Sequence, residues 1–370
     1  MFFSKKVYLI FGGLFLLAFL IRIPYLSYPQ EPVFDEAHYI NFAERTLAGE
    51  KDIDIHPPLA RLIFAGILWL APYDANNFPF FRLRLLAVFA GSLLAGIVYL
   101  IAQKLYRNQI LALLPALMVI FDGALISYSR MILPDILILV FGFLGILLLI
   151  QDSRNTFLFS GIMFGLAAAI KWSGLAFLAS GLIYLYLKKK YYTAFLLIFI
   201  CLGAYLATFV MLGDRISEIP SLTQAMFKGH ILIGDHPSKS PPWKWPFADD
   251  QFILWGNGKD DIIKISPNLF SWTAVIISLA VTIYLAVKRK SFSYIFLLGG
   301  YFASYLPFFF ISRPLFLYHY FPALIFGFLL VPGFIKLISE MLFEREIKKP
   351  AVYFAGGVVL FFLIFIPFIY

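Results

Sequence analysis

Hydrophobic stretches long enough to cross a lipid bilayer recur from one end of this chain to the other. Hydrophobic residues make up 61% of its 370 residues, whereas charged residues make up 14%. A backbone inside hydrocarbon must satisfy its own hydrogen bonds, so such stretches fold as helices. The pattern predicts an all-α polytopic membrane protein with eleven spans, at residues 7–24, 84–103, 109–127, 134–151, 156–172, 173–187, 191–212, 268–287, 292–311, 321–338 and 351–369.

The apolar segment 59–71 is treated differently, because it is short and Arg61 interrupts it. A segment of this length favours a helix that lies along the membrane surface rather than one that crosses it. We therefore predict outward-facing juxtamembrane helices in the loop that contains it, the first of them beginning near Ala37.

Basic residues cluster in alternate connections between the predicted spans. Lys5-Lys6, 188–190 and 288–290 fall on one side of the membrane, whereas most acids and all five histidines fall on the other. The positive-inside rule places the basic side in the cytoplasm. The amino terminus is therefore predicted inside and the polar loops outside. The net charge of +9 lies in turns that would face anionic lipid, so it does not indicate nucleic-acid binding.

Two outer loops, 25–81 and 213–267, are long, whereas nearly every other connection is a tight turn. Long loops between packed helices usually carry function. The chain has no internal repeat or soluble module, so residues 1–370 are predicted to form one transmembrane domain, with the first long loop catalytic.

The first long loop contains two adjacent carboxylates, Asp35 and Glu36, followed by His56-Pro57-Pro58. Moving a sugar from a lipid phosphate to a hydroxyl needs a base to take the hydroxyl proton and cations to hold the phosphate. The two carboxylates suit the first need. They could equally cap a helix, and the two prolines could make only a rigid turn.

Further charged residues lie at or near the outer ends of the predicted spans, namely Arg22, Arg84, Asp122, Arg130, Asp135, Lys171 and Arg313. Charges at a membrane are costly, so they usually pair or line a polar cavity. Seven on one side favour a shared cavity. Snorkelling of the basic side chains and helix capping by Asp135 remain open as the alternative.

Six segments resemble, in the same order, the dolichyl-phosphate-mannose protein O-mannosyltransferases, a family of the C-type (GT-C) glycosyltransferases. These segments are 34–39 with 56–59, 121–135, 165–175, 236–246 and 316–324. The second long loop is too short for the β-trefoil MIR module of eukaryotic members. The resemblance is therefore to the prokaryotic branch of the family.

The resemblance implies a GT-C-like bundle that transfers mannose from a polyprenyl (dolichyl) phosphate to Ser/Thr hydroxyls of proteins on the outer face, with inversion. It implies Asp35 as the general base, with Glu36 orienting the acceptor or a neighbouring cation. The residues predicted to bind the donor phosphate are Arg84, Arg130, Lys171, Arg313 and His319. Those predicted to contact the acceptor or the sugar are His56, Asp122, Asp135, His236, Trp243 and Trp245.

Two other functions remain open. One is a transferase that uses the same donor class but modifies a lipid or a cell-wall glycan. The other is a transporter of polyprenyl-linked sugars, which should carry charges near the bilayer midplane and broken helices in paired halves. Here the charges gather at one face, so the transferase is favoured.

The predicted partners are a polyprenyl-phosphate-linked sugar, a protein or peptide acceptor and the bilayer, with a dimer possible because some relatives dimerise. The predicted location is the plasma membrane of a prokaryote. The five histidines lack the close paired spacing of a zinc site, so no cofactor is expected, although a divalent metal is left open. The two tryptophans could anchor their loop at the membrane interface instead of stacking on a sugar.

Overall fold

The computed structural model describes residues 3–50, 54–70, 73, 78–232, 234–248, 253–256 and 262–366. Within these residues there are fifteen α-helices, which are α1 (Lys5–Arg22), α2 (Glu36–Leu47), α3 (Leu59–Leu70), α4 (Phe80–Tyr106), α5 (Gln109–Ile120), α6 (Gly123–Tyr128), α7 (Asp135–Ile150), α8 (Arg154–Ile170), α9 (Leu175–Leu187), α10 (Tyr191–Leu212), α11 (Ile219–Ile231), α12 (Leu269–Arg289), α13 (Phe292–Tyr305), α14 (Phe321–Leu342) and α15 (Lys348–Phe365). Short 3₁₀ segments lie at Trp172–Gly174, Ile216–Glu218, Pro242–Phe247, Leu306–Phe310 and Leu317–Tyr320.

Every predicted span coincides with a helix in the part of the chain that is described, although 367–369 lie outside it. Six helical segments are long and apolar enough to cross a membrane, which confirms a polytopic protein; they are Phe80–Tyr106, Tyr191–Leu212, Leu269–Arg289, Phe292–Phe310, Leu317–Leu342 and Lys348–Phe365. Other apolar helices, α5, α7 and α8 among them, are shorter than 18 residues. The number of crossings and the juxtamembrane placement of α2 and α3 therefore stay predictions.

The second long loop contains a small sheet that the sequence analysis did not predict. Strands β1 (Ile253–Gly256) and β2 (Ile262–Lys264) pair in antiparallel fashion. Isoleucine opens both strands, and β-branched residues favour extended backbone. The fold is thus helical throughout the described residues except for this hairpin-like pair.

The predicted span 109–127 is broken rather than continuous. Helix α5 ends at Ile120, and Asp122 begins α6 by accepting a hydrogen bond from the backbone N–H of Leu125 at 3.0 Å. An aspartate at this position satisfies a donor that the first turn of a helix leaves without a partner. The break brings the next residues back towards the first long loop.

Helices α4 and α14 form the buried centre of the bundle, whereas α10 and α15 expose most of their apolar surface. Helix α8 packs closely on α10 through glycine. A Cβ atom on Gly165 would lie 2.4 Å from the carbonyl oxygen of Cys201, so only glycine allows this approach. Small residues at such contacts are typical of helices that pack inside a membrane.

Candidate active site

A cavity of about 1250 Å³ lies where the long loops meet α9, α11 and α13. One part of its wall is apolar and includes Phe227, Phe308 and Phe310. Another part carries most of the titratable side chains, namely His56, Lys171, His230, Arg313 and His319. The cavity therefore combines a surface for an apolar chain with a cationic region.

Glu36 is fully buried and has a structural role. Its carboxylate accepts hydrogen bonds from Arg84 Nη2 at 2.7 Å and Nε at 3.0 Å, and from the backbone N–H groups of Val33 and Ile132 at 2.8 and 2.7 Å. Two bonds reach each oxygen, which satisfies the group inside the protein. This side chain fixes the first long loop to α4 and to residue 132, and its orienting of the acceptor or a cation stays a prediction.

Arg84, the partner of Glu36, also holds the first long loop in place. Its remaining N–H groups donate to the carbonyl oxygens of Leu26, Pro29 and Glu31 at 3.3, 2.7 and 3.0 Å. A guanidinium group has five N–H donors, and all five are used once the two bonds to Glu36 are included. Phosphate binding by Arg84 therefore stays a prediction that these contacts do not favour.

Asp35 differs from its neighbour in almost every respect. It is half-buried, and its carboxylate has no hydrogen-bond partner among the described residues. The preceding residue, Phe34, has a left-handed backbone with φ of 50°, which is uncommon for a residue other than glycine. Asp35 occupies the N-cap position of α2 without making a capping bond, so the alternative interpretation as a helix cap fails for this residue.

Burial raises the pKa of the Asp35 carboxyl above its ordinary value of 3.8. The positive charge of Lys171 opposes this effect, and the negative charge of Asp135 reinforces it. His38 and His236 also lie within electrostatic reach and lower the pKa. Asp35 is not among the residues that line the cavity, but it lies within electrostatic reach of Lys171, which does line it.

Lys171 and Asp135 form a buried ion pair. The ammonium Nζ lies 2.9 and 3.0 Å from the two carboxylate oxygens, and it also stands over the rings of Tyr318 and Tyr39 at 5.2 and 5.8 Å. Lys171 reaches this position because α8 ends at Ile170 and the chain turns sharply. The sequence analysis predicted a cavity shared by seven charged residues; of these, Lys171 and Arg313 line the cavity, and Asp135 pairs with Lys171.

Two predicted phosphate ligands line the cavity with hydrogen-bonding groups that no described residue uses. Arg313 makes no hydrogen bond or ion pair with any described residue. His319 has its Nδ1 atom 3.0 Å from the carbonyl oxygen of Phe316, and its ring stacks on Tyr318 with 4.5 Å between centroids. The Nε2 atom of His319 has no hydrogen-bond partner within the described part of the chain. Arg313 and Lys171 thus form the cationic region, with the His319 ring beside them on the cavity wall.

Two other predicted residues lie elsewhere. Arg130 does not line the cavity, and its Nη2 group donates to the carbonyl oxygen of Pro24. Asp122 is fully buried and, besides capping α6, accepts hydrogen bonds from the backbone N–H of Asn268 at 3.1 Å and from Trp272 Nε1 at 2.7 Å. Asp122 therefore joins α6 to α12, and its contact with acceptor or sugar stays a prediction.

The two predicted tryptophans have different environments. Trp243 is 62% exposed and lines the cavity. Trp245 is fully buried, donates from Nε1 to Ser240 Oγ at 2.9 Å, and stacks on His319 with 6.1 Å between centroids. Trp245 is thus part of the wall behind His319, and its contact with acceptor or sugar stays a prediction. His236 contacts Phe316 near Asp35.

His230 is a cavity residue that the sequence analysis did not assign to the site. Its ring lies 5.2 Å from that of His56 and 5.4 Å from that of Trp172. Burial lowers the pKa of His230 to about 4 and the pKa of His56 well below 6.5, so both rings are neutral at neutral pH. No motif in the sequence connects these two distant histidines; only the fold does.

No group of three His, Cys, Asp or Glu side chains within the described ranges is arranged to hold a metal ion. Neutral His56 and His230 can donate or accept hydrogen bonds but cannot balance a phosphate charge. Independence from a metal stays a prediction.

Two family models together match most of the chain. Residues 13–213 match the family model described as dolichyl-phosphate-mannose-protein mannosyltransferase. The chain belongs to this protein mannosyltransferase family. Residues 215–370 match a second model, the C-terminal four-TMM region of protein-O-mannosyltransferase. The motifs singled out in the sequence therefore indicated the correct family.

Two relatives show how the mannosyltransferase homology is distributed. Protein O-mannosyltransferase 1 of Drosophila pseudoobscura pseudoobscura is 32% identical over 187 residues, which are 45% of this chain and 21% of that protein. The polyprenol-phosphate-mannose–protein mannosyltransferase of Mycolicibacterium smegmatis is 23% identical over 75% of this chain and 71% of its own length. The match thus spans about a fifth of the Drosophila protein but most of the mycobacterial one.

Solved structures confirm the GT-C-like architecture. A chain of the Saccharomyces cerevisiae protein O-mannosyltransferase Pmt1-Pmt2 complex bound to the sugar donor has a TM-score of 0.89 at 16% identity, over 100% of this chain and 91% of that one. ArnT from Cupriavidus metallidurans in the apo state has a TM-score of 0.64 at 12% identity, over 97% and 76% of the two chains. At these identities the similarity concerns the fold.

Proposed function

We propose that this mannosyltransferase family member transfers mannose from a polyprenyl-phosphate donor to Ser/Thr hydroxyls of proteins. The observation that carries the proposal is the Asp35 carboxylate, which has no hydrogen-bond partner among the described residues and lies within electrostatic reach of Lys171. Lys171 lines the cavity together with Arg313 and His319. A base and a set of phosphate ligands are the two things that this reaction needs.

In the proposed reaction, the Asp35 carboxylate takes the proton of the acceptor hydroxyl. The hydroxyl oxygen then forms a bond to the anomeric carbon of mannose, and the bond from that carbon to the phosphate oxygen breaks. The polyprenyl phosphate leaves with the electron pair, and a single displacement inverts the anomeric centre. Asp135 is bound on both oxygens by Lys171, so it is poorly placed to act as a second, nucleophilic carboxylate.

Arg313 is the strongest candidate for the phosphate ligand. Its guanidinium group is positioned at the cavity without a competing acceptor in the described part, and it can bind phosphate oxygens through two parallel hydrogen bonds. Lys171 contributes a point charge that Asp135 partly neutralises. His319, held by the Phe316 backbone and by Trp245, can direct its Nε2 atom at the same group.

An apolar groove supports a donor with a long hydrocarbon chain. A second cavity of about 630 Å³ shares Ala303, Pro307 and Phe310 with the large one and is lined by α9 and α13. Apart from these three residues, its wall consists of Ile183, Gly299, Phe302 and Leu306. The hydrocarbon chain of the donor would lie along this groove while the donor phosphate contacts the cationic region.

The acceptor would approach from the outer face of a prokaryotic plasma membrane, past the exposed indole of Trp243. The name of the mycobacterial relative supports the donor class and a protein acceptor. The neighbour solved as a Pmt1-Pmt2 complex suggests that this chain can also work as a dimer.

The test is a transfer assay with the purified chain in liposomes, polyprenyl-phosphate mannose and a Ser/Thr-rich peptide. Mass spectrometry should find a mannosylated peptide, and NMR should find an anomeric configuration opposite to that of the donor. A matched preparation of the Asp35→Asn variant controls for contaminating activity. Transfer to a lipid acceptor with none to peptide would replace the protein acceptor by a lipid or glycan; retention of configuration would exclude the single displacement.

A further inference from the structure

A separate polar cavity of about 320 Å³ lies at the far ends of the helices that form the active site. It is bounded by the turn between α4 and α5, the turn between α12 and α13, and the last part of α14. We call it the opposite-end cavity, and its polar lining consists of Arg107, Asn108, Ser291, Ser293, Tyr294 and Lys336. Helices α13 and α14 connect it to the cavity that holds the proposed donor.

Two cations face this space. Arg107 follows α4 in a left-handed conformation with φ of 52°, which turns the chain towards the cavity. Lys336, on α14, also lines the cavity. Glu340, also on α14, is bound by Arg289 at 2.7 Å and lies within electrostatic reach of Lys336.

Neutral donors surround the same space. Helix α13 has 14 residues and begins here, with Ser291 at its N-cap making no side-chain capping bond. The N–H groups of a first helical turn have no acceptor inside the helix and attract anions. Asn108 uses its oxygen to cap α5, which leaves its NH₂ group for another partner.

Tyr294 gives an independent indication of a ligand. Its side chain is 7% exposed and lines the cavity, yet its hydroxyl makes no hydrogen bond with a described residue. This hydroxyl is therefore available to hydrogen-bond a ligand in the cavity. A hydroxyl group, an amide group and two cations around one small space match the oxygen atoms of a phosphate group.

We propose that the opposite-end cavity binds a phosphate-bearing anion, either the headgroup of an anionic lipid or free phosphate. The site is distinct from the proposed donor site, since the helices that form it reach the active-site cavity only at their other ends. A bound anion would hold the start of α13 against α4 and α14.

The experiment measures binding to the full-length chain in detergent, independently of mannose transfer. Native mass spectrometry compares retention of phosphatidylglycerol with that of phosphatidylcholine, and thermal unfolding compares inorganic phosphate with chloride at equal ionic strength. Preferential phosphatidylglycerol retention identifies a lipid headgroup, and a rise in Tm with phosphate alone identifies the free anion. Absence of both effects in the wild-type chain would overturn the proposal.

Variants then locate the ligand. Arg107→Ala with Lys336→Ala should weaken binding about tenfold, because two charge-assisted contacts are lost. The matched control, Arg154→Ala with Lys189→Ala, removes the same charge from other exposed basic turns and should bind normally. Tyr294→Phe, which keeps the packing, should also weaken binding. Equal losses in the two double variants would show a nonspecific charge effect and overturn the site, as would normal binding by both the cavity variant and Tyr294→Phe.

Discussion

Adjacent residues in the first long loop have opposite environments, although their side chains share one chemistry. Glu36 exchanges its hydration for four hydrogen bonds and a buried ion pair with Arg84. Asp35 is only partly buried and keeps both oxygens available among the described residues. A group that is bound on every side stabilises the fold, whereas one without partners beside opposite charge can accept a proton.

Asp35→Asn should lower kcat by about 10²- to 10⁴-fold while leaving donor affinity nearly unchanged, because the amide keeps the shape but cannot take a proton. Burial raises the pKa of the Asp35 carboxyl, and the base acts only when ionised. Wild-type activity should therefore fall as pH decreases through a pKa above 3.8. Rates of peptide mannosylation across pH, together with donor binding, measure both effects.

The matched variant is Glu36→Gln. Removing one partner of a buried ion pair typically costs about 3–5 kcal/mol, so this variant should unfold at a lower temperature than the wild type. Asp35→Asn should not, since it breaks no hydrogen bond. Normal turnover by Asp35→Asn, or a large loss of stability in it, would remove Asp35 from the role of general base.

Arg313→Ala should raise the KM for the donor by roughly tenfold or more, because a charge-assisted contact to phosphate is lost. Arg313→Lys should restore part of the affinity, since a lysine keeps the charge but not the bidentate geometry. Arg130→Ala is the control: Arg130 does not line the cavity, so the donor KM should change little. A large rise in the donor KM of Arg130→Ala, with little change for Arg313→Ala, would instead assign phosphate binding to Arg130.

At the scale of elements, the short 3₁₀ segment Pro242–Phe247 shows how one turn places similar residues in different environments. Three residues per turn set Trp243 and Trp245 on different sides of the segment. One indole lies in the open cavity, and the other fills the space between Ser240, Phe308 and His319. The segment thus connects an exposed surface to the residue that supports the proposed phosphate site.

Trp243→Ala should raise the KM for a peptide while leaving the donor KM and the thermal stability unchanged, because only exposed contact surface is removed. Trp245→Ala should instead destabilise the protein by about 3–5 kcal/mol, the usual cost of truncating a large buried aromatic side chain, and should weaken donor binding through His319. Steady-state kinetics and thermal unfolding of the two variants separate these effects. Equal behaviour would contradict the different environments.

At the scale of the whole molecule, the helices carry two chemically different ends. The active-site cavity, with Asp35 beside it, lies at one end, and the basic turns with the opposite-end cavity lie at the other. A bilayer between them would place the basic turns against the cytoplasmic leaflet. Donor and acceptor would then meet on the outer face.

Cysteine labelling tests this orientation in a Cys201→Ala background, which removes the single native thiol. Ser221→Cys, in the second long loop, should react with an impermeant thiol reagent added outside intact cells. Asn155→Cys, in a basic turn, should react only after the membrane is opened. Both positions are exposed in the folded chain, so the difference reports the side of the membrane. The opposite labelling pattern would invert the topology.

The sequence by itself determined that the chain lies in a membrane, that it is helical and that it belongs to this family. The reason is that the length of apolar segments and the local motifs are properties of neighbouring residues. The sequence also indicated Asp35, Lys171, Arg313 and His319. It could not separate Asp35 from Glu36, Arg313 from Arg84 or Trp243 from Trp245, since each pair has the same chemistry. Only the tertiary structure decided which side chains are consumed by partners distant in the chain, and it alone brought His230 to His56. Hydrogen-bond satisfaction and burial depend on those distant partners, so no local pattern encodes them.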